Sequence, residues 1–284
     1  MKVSLVLATV GRTAEVGRCL QSLVTQTDAI FEVVLVDQNR DDRLRPIVEA
    51  SLEAGLPLRH LRMDKGNLSL ARNLGILQST GEIIGFPDDD CWYEPDTIAE
   101  IRHLFLTKTA LQGVIACWVE QAVTRKKMMI IGSLSLKSWR KYRGGDASSI
   151  SLFLRKDLLH LLGGFDCRLG VGQWYGAAEE IDLVLRSLSL GASMDYCPTA
   201  KVHHAFFNVP KGDRRTIYRN ARNRARGTGA IYAKHRLGLW IILRGLVAPI
   251  SIPLFRGKLL TAVYGFFVAL GRVEGFLRWK FSEE

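Results

Sequence analysis

The chain has 284 residues, 48% of them hydrophobic, and a formal net charge of +11. It is long enough to bury a substantial core, either as one large domain or as one domain with an appendage. Its five cysteines (Cys19, Cys91, Cys117, Cys167 and Cys197) are odd in number, scattered and without a Cys-x-x-Cys pair, which excludes a disulfide framework or a zinc cage and suits a reducing compartment.

The N-terminus, Met1-Lys2-Val3-Ser4-Leu5-Val6-Leu7, enters a strand-like run directly, without a signal-peptide pattern, so a cytoplasmic protein is the expectation. Val3 to Ala8, Phe31 to Val36, Leu56 to Leu61 and Ile83 to Phe86 read as strands. Between them, Val16 to Val24, Leu44 to Leu52 and Leu68 to Leu77 carry apolar residues at helical spacing. Short strands buried on both sides and separated by helices predict a largely parallel α/β sheet. In such sheets ligands sit beyond the carboxyl ends of the strands. Thr9, Arg12, Asp37 and the run Asp88-Asp89-Asp90 become candidates by position.

Further along, Val114 to Val119 and Met128 to Ile131 read as strands around a basic turn, Arg125-Lys126-Lys127. Gly144-Gly145 marks a loop, and Ser149 to Leu154 reads as another strand. Gly163-Gly164-Phe165-Asp166 ends a short helix, and the loop Gly170-Val171-Gly172 leads to a helix from Ala178 to about Leu190. A strand from Ala192 to Cys197 and the pair His203-His204 follow. From Asp213 the character changes: Arg214, Arg215, Arg219, Arg222, Arg224 and Arg226 recur on a predicted helix. Residues 201–284 hold sixteen Lys/Arg against four Asp/Glu, so this tail carries +12 and residues 1–200 carry −1. The tail's uncharged runs, Gly245 to Phe255 and Leu259 to Gly271, fall short of the roughly 20 residues that span a bilayer. Two short apolar pieces with basic flanks suit helices lying in a membrane interface; packing on the main domain or on a second copy is the alternative. Nucleic acid is not expected, because the apolar residues near the arginines are not spaced as base-stacking aromatics.

The aspartate run follows the apolar stretch Gly81-Glu82-Ile83-Ile84-Gly85. Three adjacent carboxylates repel one another, and a divalent cation relieves that repulsion. A hard cation with oxygen ligands keeps positions open for a substrate phosphate. A solvated acidic turn before a helix opening at Pro95-Asp96 is the other reading of the same residues.

Several stretches in order resemble the family 2 glycosyltransferases, whose nucleotide-sugar-binding domain has the GT-A fold. They are Val6-Leu7-Ala8-Thr9-Val10-Gly11-Arg12, Val34-Leu35-Val36-Asp37, Asn67-Leu68-Ser69-Leu70-Ala71-Arg72-Asn73-Leu74-Gly75, Gly81 to Phe86 leading into the aspartates, Gly163 to Asp166, and Glu179-Glu180-Ile181-Asp182-Leu183. The resemblance covers about residues 1–235. It implies a mainly parallel mixed sheet flanked by helices, with a catalytic domain over 1–212 and a basic, apolar helical extension over 213–284. The nucleotide-sugar half would take residues up to about 110 and the acceptor half the rest of that domain.

The resemblance also implies roles. Asp37 would accept from the base, with Thr9 and Arg72 beside it; Arg12 and Asn67 complete the donor-binding set. The alternatives are a turn cap for Asp37 and surface ion pairs for the arginines. Asp88 or Asp89 would lie near the ribose, while Asp90, with Asp88 and His204, would hold Mn²⁺ or Mg²⁺. The family often has a metal-binding histidine after a proline such as Pro198, and His204 fits this better than His203. The base that deprotonates the acceptor hydroxyl would lie in Glu179-Glu180, at Glu180, where the family has Glu-Asp. Asp182 and Arg186 would form a helix-surface pair.

The region Arg226 to His235 lacks the Gln-x-x-Arg-Trp signature of processive synthases, which implies transfer of single sugars. Arg226, Lys234 and His235 would approach donor or acceptor phosphates, or anionic lipid. The expected partners are a nucleotide-diphosphate sugar, a UDP-sugar foremost, a lipid-linked or saccharide acceptor, the inner face of the cytoplasmic membrane, and a second copy of the chain. Two other functions fit parts of the pattern: a nucleotide-sugar binder without turnover, and a nucleotidyltransferase. The latter usually has a glycine-rich loop after the first strand, and Ala8 to Arg12 has one glycine.

Overall fold

The computed structural model describes residues 1–64, 66–120, 132–142, 148–204 and 213–282. The strand expected from Met128 to Ile131, the turn at Arg125-Lys126-Lys127 and the loop at Gly144-Gly145 lie outside the described residues. The first half alternates as expected: β1 (Val3–Thr9), α1 (Ala14–Val24), β2 (Phe31–Asp37), α2 (Arg45–Glu53), β3 (Leu58–Arg62), α3 (Leu68–Gln78) and β4 (Ile83–Gly85). Then come β5 (Cys91–Tyr93), α4 (Thr97–Thr107), β6 (Gly113–Trp118), β7 (Gly132–Ser133), α5 (Leu136–Arg140), β8 (Leu152–Arg155) and α6 (Lys156–Leu162). The remainder is α7 (Glu179–Ser189), β9 (Met194–His204), α8 (Arg214–Lys234), α9 (Leu239–Phe255) and α10 (Leu259–Ser282).

The strands form one mixed sheet in the order β3-β2-β1-β4-β8-β6-β9-β5, with β7 paired to β9. β1 to β4 run parallel, β8 is antiparallel to both β4 and β6, and β5 is antiparallel to β9. Every residue of β1 and β2 is buried, because helices cover both faces. Their side chains divide by the two-residue period of a strand. Leu5, Leu7, Val33 and Leu35 face one core; Val6, Ala8, Val34 and Val36 face the other. Helix α3 lies close on the second face, where a Cβ on Gly75 would overlap Val6.

Three elements differ from the sequence expectation, each for a local reason. Ser149–Ser151 is a 3₁₀ turn rather than strand, and the Ser151 amide and hydroxyl both bond the Ser148 carbonyl, so β8 starts at Leu152. β9 does not stop at Cys197 but continues to His204. Its pairing with β6 jumps from Ala116↔Cys197 to Cys117↔Lys201, an irregularity at Pro198, which has no N–H to offer the ladder. α10 runs for 24 residues through Arg272 and Glu274, instead of ending with its uncharged run. Glu274 is neutralised inside the helix pair by Arg222 and Arg226 of α8, so its charge does not break the helix. By length and composition alone α10 could cross a membrane, whereas α9, with Pro249 and Pro253 inside it, is 17 residues long.

One buried carboxylate ties the sheet edge together. Glu32 of β2 accepts from Ser4 Oγ (2.6 Å), Lys2 Nζ (3.0 Å) and the Thr80 amide (2.6 Å). Burial raises its pKa, but these bonds outweigh that and hold it near about 2. A carboxyl depressed in the fold stabilises it above the unfolded pKa of about 4.3 and loses that contribution as pH falls towards 2. Glu32→Gln is therefore expected to cost about 1–3 kcal/mol at neutral pH. In urea melts, the deficit against the parent protein should shrink steadily below about pH 4.

Candidate active site

The site lies beyond the carboxyl ends of β1 and β4, where Asp88 makes an isolated parallel bridge to Ala8. The three aspartates each have a different set of partners. Asp88 accepts from Arg72 Nη2 at 2.8 Å and from Ser149 Oγ at 3.2 Å. Asp89 accepts from Thr9 Oγ1 at 2.6 Å and Arg12 Nη1 at 2.5 Å. Asp90 pairs with Arg12 Nη1 at 2.5 Å and His204 Nε2 at 3.0 Å. The like-charge repulsion read from the sequence is thus met by two guanidinium groups and an imidazole.

The environments separate the carboxyls electrostatically. Burial pushes Asp89 above its usual range despite its bonds to Thr9 and Arg12. For Asp90 burial acts the same way, but His204 and Arg12 outweigh it and hold the group low. The hydrogen bond that His204 donates to Asp90 in turn raises the imidazole. His203, its neighbour, points away, stacks on Trp92, and contacts Glu120 at 2.7 Å and Glu94 at 3.2 Å.

Among the described residues, Asp88, Asp90 and His204 bring one ligand atom each to within 4.8 Å of one another. Two carboxylates and one imidazole are a donor set that fits a divalent cation, and the His204 Nδ1 is buried without a hydrogen-bond partner. The sequence reading had Asp90 as principal ligand with Asp88 and His204; the structure brings these three together and turns Asp89 onto Thr9 and Arg12 instead.

The glutamates sit on the first turn of α7. Glu179 is buried and accepts from Arg72 Nη1 at 3.0 Å. Arg72 is itself 1% exposed, so one buried guanidinium bridges Asp88 of the aspartate run and Glu179 of the glutamate pair. This is no surface ion pair. Glu180 is partly buried, and burial plus the adjacent Glu179 carboxylate push its pKa up to about 8. Asp182 departs from the expected surface pair: it bonds Arg186 at 2.8 Å but is fully buried, and it also pairs with Lys234 (2.8 Å) and His235 (2.9 Å) of the α8 end. Lys234 and His235 are therefore held by acids within the fold, Lys234 by Asp166 as well, and Arg226 by Glu274. They do not stand free for substrate phosphates, because the last turn of α8 lies on α7.

An open cleft of about 770 Å³ lies in front of the aspartates. Thr9, Arg12, Asn67, Asp88, Asp89, Asp90 and His204 line it, joined by Gln38 and Arg224. Asn67 also caps α3, accepting from the Leu70 amide at 2.9 Å. Asp37, Arg72, Glu179 and Glu180 are not among the residues that line it. Asp37 is completely buried, its carboxylate bonded by the Asn39 amide and side chain, His60 (3.0 Å) and Arg62 (3.1 Å). His60 and Arg62 were missed in the sequence, although they alternate on β3 with Arg62 in register with Asp37. Arg224 was visible only as one arginine among many.

A sequence profile described as glycosyl transferase family 2 matches residues 4–161, more than half of the chain. The chain belongs to that family. Curated relatives include EpsH of Bacillus subtilis, 32% identical over 94 residues (33% of this chain, 27% of that protein). The succinoglycan biosynthesis protein ExoM of Rhizobium meliloti is 25% identical over 194 residues (67% of this chain, 62% of that protein). This family 2 chain thus spans less than two thirds of the length of either relative. Among solved structures, the mannosyltransferase PcManGT of Pyrobaculum calidifontis, in complex with GDP-Man and Mn²⁺, superposes with a TM-score of 0.67 at 17% identity, over 100% of this chain and 88% of that one. S. aureus TarS 1-349 in complex with UDP-GlcNAc gives 0.57 at 16%, over 100% and 91%. The fold is accordingly that of GT-A glycosyltransferases, as the motif order implied.

Removing Arg72 leaves Asp88 and Glu179 facing each other without their shared cation. Arg72→Met is expected to destabilise the protein by about 3 kcal/mol in urea unfolding. Arg72→Lys should recover only part of that, since an ammonium cannot reach two carboxylates with a planar fork.

Proposed function

We propose that this protein is an inverting, non-processive glycosyltransferase that moves one sugar from a nucleotide-diphosphate sugar to a hydroxyl of a lipid-linked or polysaccharide-precursor acceptor. The observation that carries the reading is the Asp88–Arg72–Glu179 bridge, which holds a cation-competent carboxylate set and a high-pKa glutamate on one buried frame. The ligands of the structural neighbours, GDP-Man with Mn²⁺ and UDP-GlcNAc, support a nucleotide-sugar donor. The name of ExoM supports a polysaccharide-precursor acceptor.

In this reading Thr9, Arg12, Asn67 and Asp89 form the donor cleft, and Asp37 meets the base in place of one of its present partners. Asp88, Asp90 and His204 hold the divalent ion, with Mn²⁺ preferred over Mg²⁺ because one ligand is an imidazole. When bound, the ion supplies Lewis-acid neutralisation of the leaving nucleoside diphosphate. Glu180 takes the proton from the acceptor hydroxyl; the oxygen bonds to the anomeric carbon as the bond to the diphosphate oxygen breaks, so one displacement inverts configuration. Glu179 is the weaker candidate for base because Arg72 already holds it.

Residues 1–212 form the catalytic unit, and 213–284 seat it on the inner face of the cytoplasmic membrane. α9 has no buried residue and exposes Leu239, Trp240, Leu243, Val247, Leu254 and Phe255. Between residues 236 and 282 there are seven Lys/Arg and one acid, Glu274. Vesicles rich in phosphatidylglycerol should therefore co-sediment the protein, with salt weakening the association. Trp240→Glu should weaken it at every salt concentration; equal binding by the variant would remove α9 as the contact, and no co-sedimentation of the parent protein would remove the membrane from the reading.

The function itself is tested by incubation with UDP-, GDP- and dTDP-sugars and Mn²⁺. Glu180→Gln should lower turnover by about 10²–10⁴-fold with donor affinity kept, whereas Asp90→Ala should weaken cation-dependent donor binding. A binder without turnover would respond to the second change and show no activity to lose with the first. A base must be ionised, so a carboxyl with raised pKa makes kcat/KM fall as pH drops through about 8. A rate limb that stays flat from pH 6 to pH 9 would exclude Glu180 as the base.

A further inference from the structure

Glu180 is reached through a turn that the chain does not adopt unaided. Ala178, the residue before α7, has φ +78°, the left-handed region that costs a non-glycine residue about 1 kcal/mol or more. Such a conformation persists when its surroundings enforce it, and here α8 packs against the turn from before Ala177 onward, with Arg278 of α10 beside it. The Gly176 amide donates to the Asn223 carbonyl of α8 at 3.2 Å. One turn on, Gly227 lies so close to Ala177 that a Cβ there would overlap the Ala177 carbonyl oxygen. Arg226 of α8 and Arg278 of α10 each lie 4.3 Å from the ring centre of Trp174 in the same loop. On the far side of the glutamates, Lys234 and His235 grip Asp182. α8 thus touches the turn before Glu180 and the helix after it, while Arg224 of the same helix lines the donor cleft.

We propose that α8 is a positioning element for catalysis: Asn223, Gly227 and Lys234 set the aim of Glu180, and the basic extension is part of the reaction machinery rather than only a membrane seat. This rests on the reading of Glu180 as base. Gly227 has to be glycine because only a helix without a side chain there can press its backbone against Ala177. Lys234 fixes the direction of α7 through the buried Asp182 and ties it to the half-buried Asp166 of the preceding loop.

The test compares Gly227→Ala, Lys234→Met, Glu180→Gln and Gly265→Ala in the full chain. Gly265→Ala puts a backbone overlap of the same kind, on the Pro249 carbonyl, between α9 and α10. The activity is hydrolysis of whichever sugar nucleotide of the panel the parent protein turns over; donor Kd is measured by calorimetry, and amide exchange is followed over 176–182. Misplacing a reacting group by about 1 Å costs about 10²-fold in rate, so Gly227→Ala should lower kcat by about that factor. Its donor Kd should stay within about threefold, and the 176–182 amides should exchange faster. Lys234→Met is milder, since Arg186 and His235 remain on Asp182 and Arg168 remains on Asp166. It should lower kcat by about threefold to tenfold at unchanged Kd, and it decides the matter if Gly227→Ala does not fold. Parent-like kcat in the folded variants, Kd weakening in step with kcat, or an equal loss in Gly265→Ala overturns the proposal. If Glu180→Gln keeps full activity the base assignment itself fails; if it is inactive while Gly227→Ala is parent-like, only the positioning role fails.

Discussion

A single buried cation, Arg72, is the constraint on which the geometry of the site depends. A guanidinium taken out of water is costly unless its donors are met by charge. Here one side of its fork meets Asp88 and the other meets Glu179, and the face of the group lies 5.3 Å from the Phe165 ring centre. Phe165 in turn packs edge-on against Phe86, the residue before the aspartate run begins. The strand that delivers the aspartates and the turn at Gly163-Gly164-Phe165 therefore close over the same side chain. The separation between the two sets of acids is set by a rigid planar group that bonds both directly.

Arg12 and His204 act differently. Arg12 is side-chain exposed at 43% and straddles Asp89 and Asp90, so its hold on them is open to solvent and exchangeable. His204 reaches Asp90 from β9 only because the pairing of β9 with β6 slips at Pro198 and lets the strand run on past it. A permanent buried cation, with an exchangeable guanidinium and an imidazole beside it, is the arrangement that the proposed donor and cation site would need.

How much of this was legible in the sequence follows from the range of each interaction. β1 and β2 were readable because burial on both faces writes an unbroken apolar run into the chain. The aspartate run was readable because three adjacent carboxylates need an explanation wherever they fall. Which aspartate takes which partner was not, since Arg72, Arg12 and His204 come from three separate elements. Asp182 misled for a similar reason: with Arg186 four residues on it has the spacing of a solvated pair, and its burial comes from α8 docking across it. Arg272 and Glu274 read as the end of an apolar run, yet the helix continues because Glu274 is paired inside by α8. In each case the local pattern was correct and the partner lay far along the chain.

The same distinction divides the positive charge of the tail, which composition presents as one quantity. Arg222 and Arg226 answer Glu274, and Lys234 answers Asp166 and Asp182, all within the packed helices. The pairs of Arg226 and Lys234 are largely shielded from the ionic atmosphere, that of Arg222 less so, and together they act as fastenings between α7, α8 and α10. The charges at Arg256 and Lys258, in the exposed turn between α9 and α10, face solvent and are screened over about 10 Å at moderate salt. Salt would therefore screen these exposed charges while leaving the fastenings of the glutamate helix largely in place. The +12 of the tail is two populations, and only the outer one is available to a partner.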